Sequence, residues 1–139
     1  MKRSYWLIKT EPDEWSWTQQ VNSGNKGAEW NGVRNFQAAK NLRNMKIGDM
    51  CFFYHTGKIR SIVGVVSIIK TAFLDKTDKS KKFVSVIVKA AYPLKREVSL
   101  KEIKKNKEFR DFSLVKQSRL SVMEVSLKYW KKLSKMGKV

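Results

Sequence analysis

Ile62-Val63-Gly64-Val65-Val66-Ser67-Ile68-Ile69 is an almost unbroken apolar run of strand length. Such a run is buried on both faces, as in a small closed barrel. Working outward, Met50-Cys51-Phe52-Phe53-Tyr54-His55 reads as a preceding strand, joined to it through a turn at Thr56-Gly57-Lys58. On the other side Val84, Val86, Val88 and Ala90 alternate with Ser85, Ile87 and Lys89, a period-2 strand expected to end near Pro93. Between them, Asp75 to Lys82 reads as a charged hairpin-like loop and as the most mobile segment. Antiparallel hairpins around 57 and 78 favour a mixed barrel over a doubly wound sheet.

The flanks complete the pattern. Ser4 to Lys9 is β-rich and reads as a first strand that stops before Glu11-Pro12. Trp15-Ser16-Trp17 leads into a short helical piece ending at about Val21, and Asn22 to Gly27 is the most loop-like stretch. Asn35 is a candidate N-cap for a helix running to about Met45, with Ala38, Leu42 and Met45 inward. Lys46-Ile47-Gly48-Asp49 makes a tight turn, with Asp49 expected to cap it. Ser99-Leu100-Lys101-Glu102 has capping-box spacing and should start another helix. Phe109 to Lys116 reads as irregular, and Ser118 to Val122 as a last short strand. Ser126 then caps a final helix with Leu127, Trp130 and Leu133 inward, Lys128, Lys131, Lys132 and Lys135 opposite, and Gly137 at its end. The expected fold class is α+β, a mixed β-barrel of about five to six strands with peripheral helices, in a single domain over 1–139.

Charge narrows the partner. Lys and Arg total 30 against 12 Asp and Glu, a formal net charge of +18 on 139 residues. Basic residues placed on phosphates release condensed counterions, so a surface of this sign points to nucleic acid. An anionic membrane fits less well, because no helix combines a strong moment with bulky exposed apolars. The basic start Met1-Lys2-Arg3-Ser4 is followed by too short an apolar stretch for a signal peptide. One cysteine, Cys51, forms no internal disulfide and suits a reducing compartment: the cytoplasm, or the nucleus if the cell has one. A monomer is expected.

Catalysis is poorly provided for. Cys51 and His55 share a strand face but stand roughly 13 Å apart at the strand rise, too far for a nucleophile-base pair. No metal site, cofactor or phosphate-cradling glycine loop is expected. What remains is flat side chains and cations at the ends of elements. Trp30-Asn31-Gly32-Val33-Arg34-Asn35-Phe36 is the focus: Gly32 permits a sharp bend that would leave Trp30 facing away from the helix, and Arg34 would add charge beside free helix-start amides. The same residues also suit a loop-to-helix corner whose Trp fills the core and whose Arg is merely solvated. Trp6 and Trp130 fall in periodic segments and read as core.

Five ordered blocks carry a resemblance. Tyr5-Trp6-Leu7-Ile8-Lys9-Thr10-Glu11-Pro12, Trp30-x-Gly32-Val33-Arg34-Asn35-Phe36-Gln37-Ala38, Met45-Lys46-x-Gly48-Asp49, Tyr54-His55-Thr56 and Ser118-Arg119-Leu120-Ser121-Val122 together resemble the EVE domain family. That family is similar to the wider PUA-like and YTH-like group. The resemblance implies a PUA-like barrel and a pocket for a modified nucleobase of DNA or RNA. Carried over block by block, that pocket would draw on Lys9, Thr10, Glu11 and Pro12, on Trp17 and Trp30, on Val33, Arg34 and Asn35, on Tyr54, His55 and Thr56, and on Arg119, Leu120 and Ser121. There are three departures from the family pattern: Thr56-Gly57 replace Ser-Asn, Glu124 follows Met123 where Pro is usual, and Phe83 stands in place of a Trp.

The expectation is a non-enzymatic reader of a modified, for example methylated, base, with Glu11, Asn35 and Ser121 as candidates for the base edge. The alternatives are a general RNA-binding accessory to tRNA or rRNA without modified-base specificity, and an enzyme using Asp49, Glu11 or His55.

Overall fold

The structure is a computed structural model and describes residues 3–139; Met1 and Lys2 of the basic start lie outside the described residues. Strands β1 (Tyr5–Thr10), β2 (Ala28–Trp30), β3 (Met50–His55), β4 (Ser61–Leu74), β5 (Val84–Ser99) and β6 (Val122–Val125) form one mixed sheet in the order β2-β5-β4-β3-β1-β6. The β1–β3 pair is parallel and the other ladders are antiparallel. Helices α1 (Trp17–Asn22), α2 (Phe36–Asn44), α3 (Leu100–Lys105), α4 (Ser113–Lys116) and α5 (Leu127–Met136) lie around it. None of these helices is long and apolar enough to cross a membrane.

The expected barrel does not close. The end strands β2 and β6 are not hydrogen-bonded to each other. Instead α2 packs against β4 and β5 and also against β6, with the Asn41 side-chain amide donating to the Val122 carbonyl at 2.7 Å. In a flat sheet β5 and β6 would stand roughly 19 Å apart across four strand spacings. One helix touches both only because the sheet curls, so α2 covers the opening that a closing ladder would have filled. Of the apolar run at 62–69, residues 62–66 and Ile68 are buried, while Ser67 and Ile69 are half-buried.

Several local readings hold. Asn35 accepts from the Ala38 amide at the start of α2, and Ala38, Leu42 and Met45 are buried. Ser99 and Glu102 form a full capping box on α3, and Ser126 caps α5. Gly48 has φ +91°, which lets Asp49 turn back to accept from the Lys46 amide. Asp49 also accepts from the Ser4 amide and the Trp6 indole N–H at 3.0 Å each. Trp130 stacks between Tyr5 and Phe52 in the core.

Others are corrected. β5 does not end near Pro93 but continues to Ser99, because Pro93 stands opposite Gly64 where the β4–β5 register shifts and the regular ladder is already interrupted. The last strand begins at Val122, not Ser118, since 118–121 is a turn. The irregular stretch at 109–116 holds α4 and the end of a 3-10 turn at Lys107–Phe109. Leu127 is exposed, as the first residue after the Ser126 cap, while Trp130 and Leu133 are buried. β2 has no sequence signal beyond Trp30, being three residues long.

Candidate functional site

The site begins at the turn after β1. Glu11 supplies its carbonyl to the amides of both Glu14 and Trp15 at 3.0 Å, a tight turn that sets those two side chains beside the strand end. Ser16 then caps α1 with a full capping box, so the chain reverses between Trp15 and Trp17. The two indoles part company there. Trp17 lies against Gly64 so closely that a Cβ at that glycine would sit 2.5 Å from the ring, and it meets Phe53 edge-on at 5.2 Å. Trp15 instead walls a cavity of about 350 Å³ lined by Thr10, Glu14, Trp15, Ala28, Glu29, Trp30 and Asn31.

Each aromatic wall is fixed. The Trp15 indole N–H donates to the side-chain carbonyl of Gln20 at 2.8 Å. Gln20 is fully buried, and its amide donates to the Val88 carbonyl of β5 at 3.1 Å. Trp30 is held in β2 opposite Val86, only 7% exposed, with Phe53 edge-on at 5.7 Å. Of the two readings that the sequence left open for Trp30, each holds in part: most of the indole is buried, and Trp30 also borders the cavity. Both flat walls are preset before any ligand arrives.

Arg34 and Asn35 are both engaged within the protein. Asn35 spends its side-chain oxygen on the α2 cap. Arg34 donates to Asp75 at 2.9 Å and to the Thr77 hydroxyl at 2.9 Å, and its guanidinium lies 5.4 Å from the Phe83 ring centre. Asp75 further accepts from the Gly32 amide and from Thr77. Burial favours the neutral acid, but the Thr77, Arg34 and Gly32 hydrogen bonds prevail and hold the Asp75 carboxyl down at about 2. Asp78 accepts from the Ser80, Lys82 and Phe83 amides in the same loop. The 75–82 segment, expected to be the most mobile, is bonded at Asp75 and Thr77 to Gly32 and Arg34, and at Lys82 to Arg43 of α2.

Strand alternation divides the remaining candidates. Lys9 pairs with Tyr54 and Thr10 with His55 across the parallel ladder, and successive side chains point to opposite faces. Thr10 borders the aromatic cavity, while Lys9, Tyr54 and Thr56 line a second cavity of about 310 Å³. His55 is buried on the Phe53 side and accepts from the Trp17 amide through Nε2 at 3.3 Å; its Nδ1 has no hydrogen-bond partner among the described residues. Burial pushes His55 below its ordinary value, against smaller opposing effects of the Thr10 backbone and Glu97. Leu120 and Val33 are buried. Ser121 accepts the Lys9 amide at 2.9 Å through its carbonyl. Glu11, Pro12 and Arg119 do not line the aromatic cavity.

The sequence places both Trp15 and Trp17 at an element end and the family resemblance carries over Trp17, whereas Trp15 is the one that lines this cavity; Gln20, Glu14 and Glu29 carry no such signal in the sequence. The capping box at Ser16 was the one signal that could have separated the two indoles.

A model of the EVE domain matches residues 4–136. The chain belongs to the EVE domain family. A Rhodopseudomonas palustris protein solved by NMR is 46% identical, with a TM-score of 0.92 over 97% of this chain and 93% of its own. Zebrafish thymocyte nuclear protein 1 is 30% identical over 160 residues, covering 88% of this chain and 67% of the relative. Human thymocyte nuclear protein 1, whose crystal structure holds DNA containing 5-methylcytosine, is 25% identical with a TM-score of 0.90 over 98% of each chain. The fold of this EVE domain is accordingly α+β and PUA-like.

Proposed function

We propose that this EVE domain is a non-enzymatic nucleic-acid-binding module that takes a methylated base, turned out of its strand, into the cavity between Trp15 and Trp30. The observation that carries the reading is the composition of that cavity: two fixed indoles, a threonine, an asparagine and two carboxylates. On a chain of net charge +18, a cavity edged by Glu14 and Glu29 repels phosphate and accepts the N–H groups of a base. The base enters it and the backbone stays outside. The DNA-bound human relative supports the methylated base as the ligand.

Extruding a base costs a few kcal/mol, and an aromatic stack returns about 1–3 kcal/mol. These nearly cancel, so affinity rests on phosphate contacts and selectivity on the cavity. A methyl group entering an apolar slot contributes only about 0.8 kcal/mol, which limits discrimination by burial alone. Larger selectivity needs polar contacts, for which Glu14, Glu29, Asn31 and Thr10 are placed. Catalysis fits these residues poorly. Asp49 is consumed by three hydrogen bonds, and burial, with Asp49 nearby, pushes the Cys51 thiol far above its ordinary range.

The test is competition binding with single-stranded DNA and RNA of one sequence, with and without 5-methylcytosine, on wild type and Trp15→Ala. A preference for the methylated strand that Trp15→Ala removes is the expected result. Binding of RNA with equal affinity whether or not it is methylated, untouched by the substitution, would instead describe a general RNA-binding accessory.

A further inference from the structure

The second cavity has a different chemistry from the first. Lys9, Tyr54, Thr56, Arg60, Leu100, Lys104, Leu114, Val115 and Ser118 line it, with no carboxylate among them. An adjoining groove shares Arg60, Leu100 and Lys104 and adds Lys101 and Lys105. Five cations therefore border this pair of depressions, which share three lining residues at the start of α3. Among the described residues none of the five is in an ion pair; the acid nearest in sequence to the three on α3, Glu102, is held by Arg96 at 2.7 Å and by its own capping box.

Two further observations mark the pair as a built feature. Lys9 is half-buried, its ammonium donates to the Ser118 carbonyl at 3.0 Å, and burial lowers its proton affinity. Arg60 has φ +46°, in the left-handed region that a β-carbon disfavours. Its Nε donates back to the Gly57 carbonyl and its own carbonyl accepts from Leu100, so both neighbouring elements hold the strained residue in place. Glycine or asparagine would occupy that backbone more easily, and neither would supply a guanidinium to both cavities.

We propose that this pair of depressions is a phosphate subsite: Arg60 and Lys104, with Lys101, Lys105 and Lys9 around them, hold the backbone phosphates next to the base that enters the aromatic cavity. The proposal rests on the base-binding reading above. The end of the β1–β3 ladder separates the two ligand chemistries. Thr10 faces the carboxylate-edged cavity that takes a base, and Lys9, one residue earlier, faces the cation-edged one that takes phosphate. A strand passing over the Thr56 end of the ladder would reach both.

The experiment compares wild type with Arg60→Asn/Lys104→Ala, since asparagine tolerates the left-handed backbone and Lys104 is exposed. A control, Lys128→Ala/Lys131→Ala, removes the same charge from the exposed face of α5. Affinity for a short single strand carrying one 5-methylcytosine is measured across salt concentrations, alongside free 5-methylcytidine and inorganic phosphate. The groove variant should lose affinity equally for methylated and unmethylated strands, with the salt slope shallower by about 1 per cation removed. It should bind the free nucleoside as wild type does, and the control should keep the wild-type slope. An unchanged slope in the groove variant, or an equal loss in the control, overturns the proposal. Saturable binding of inorganic phosphate lost in the groove variant, without any change on the strand, assigns the site to free phosphate and overturns the backbone assignment. If wild type ignores methylation but the slope still falls only in the groove variant, the base-reading fails and the phosphate subsite stands.

Discussion

The guanidinium of Arg34 lies 2.9 Å from the Asp75 carboxylate, whose other partners include the Gly32 amide. One buried carboxylate thus joins the β4–β5 loop to the segment between β2 and α2. Asp75→Asn keeps the shape and removes the charge, leaving Arg34 and the Gly32 amide poorly matched. We expect a loss of about 2 kcal/mol, the usual scale for hydrogen bonds to a charged group, read as a lower midpoint in urea. Because folding lowers the Asp75 pKa from 3.8 to about 2, its stabilisation is present above pH 3.8 and disappears as pH falls towards 2. The wild-type and Asp75→Asn acid-unfolding curves should therefore converge over that window; parallel curves would contradict the tie.

Trp15 and Trp30 should separate binding from stability. Trp15 is half-buried in a turn, so Trp15→Ala is expected to weaken the methylated strand by about 1–3 kcal/mol, one stacking contact, with a small change in Tm. Trp30 is buried against Phe53, and Trp30→Ala should cost about 3–5 kcal/mol of stability as well. Equal thermal losses in the two variants would mean that Trp15 is core rather than wall.

The difference between these two indoles also shows what the sequence could convey. Caps and tight turns were legible at Asn35, Ser99, Ser126 and Gly48 because each depends on residues within a turn of itself. The apolar run at 62–69 was legible as doubly buried over 62–66 and less so beyond, where Ser67 and Ile69 are half-buried. Trp15 and Trp17 flank a single serine, and their fates are decided by Gly64 and Gln20, the first far away in the chain and the second carrying no apolar signature. Arg34 read as a free cation because Asp75, its partner, lies 41 residues on. Pro93 read as a strand end because the register shift opposite it belongs to the pairing, not to the residue.

Gly64 offers a direct check on where Trp17 sits. A methyl group there would fall 2.5–2.6 Å from three indole carbons, so Gly64→Ala must displace the ring and α1 with it. Overpacking of this kind costs about 1–3 kcal/mol. Because α1 carries Gln20, which holds Trp15, affinity for the methylated strand should fall too. A variant as stable as wild type with unchanged binding would place Trp17 elsewhere.

His55 is the only histidine in the chain, so its ring protons report a single titration. Its Nε2 accepts from the Trp17 amide and the ring is buried, an arrangement that requires the neutral form. Burial, the main cause, sets its folded pKa below the ordinary 6.5. A lowered histidine contributes stability that is complete above pH 6.5 and is lost as pH falls from there through the folded value. NMR titration should give a midpoint below 6.5, and Tm should decline over the same interval. His55→Gln, which keeps an acceptor without the titration, should flatten that decline; a midpoint above 6.5 would mean that the Trp17 amide is not its partner. Protonation breaks the bond at the first residue of α1, the helix that orients Trp15 through Gln20. Affinity for the methylated strand should therefore fall with the same midpoint as the ring titration, and do so in wild type but not in His55→Gln.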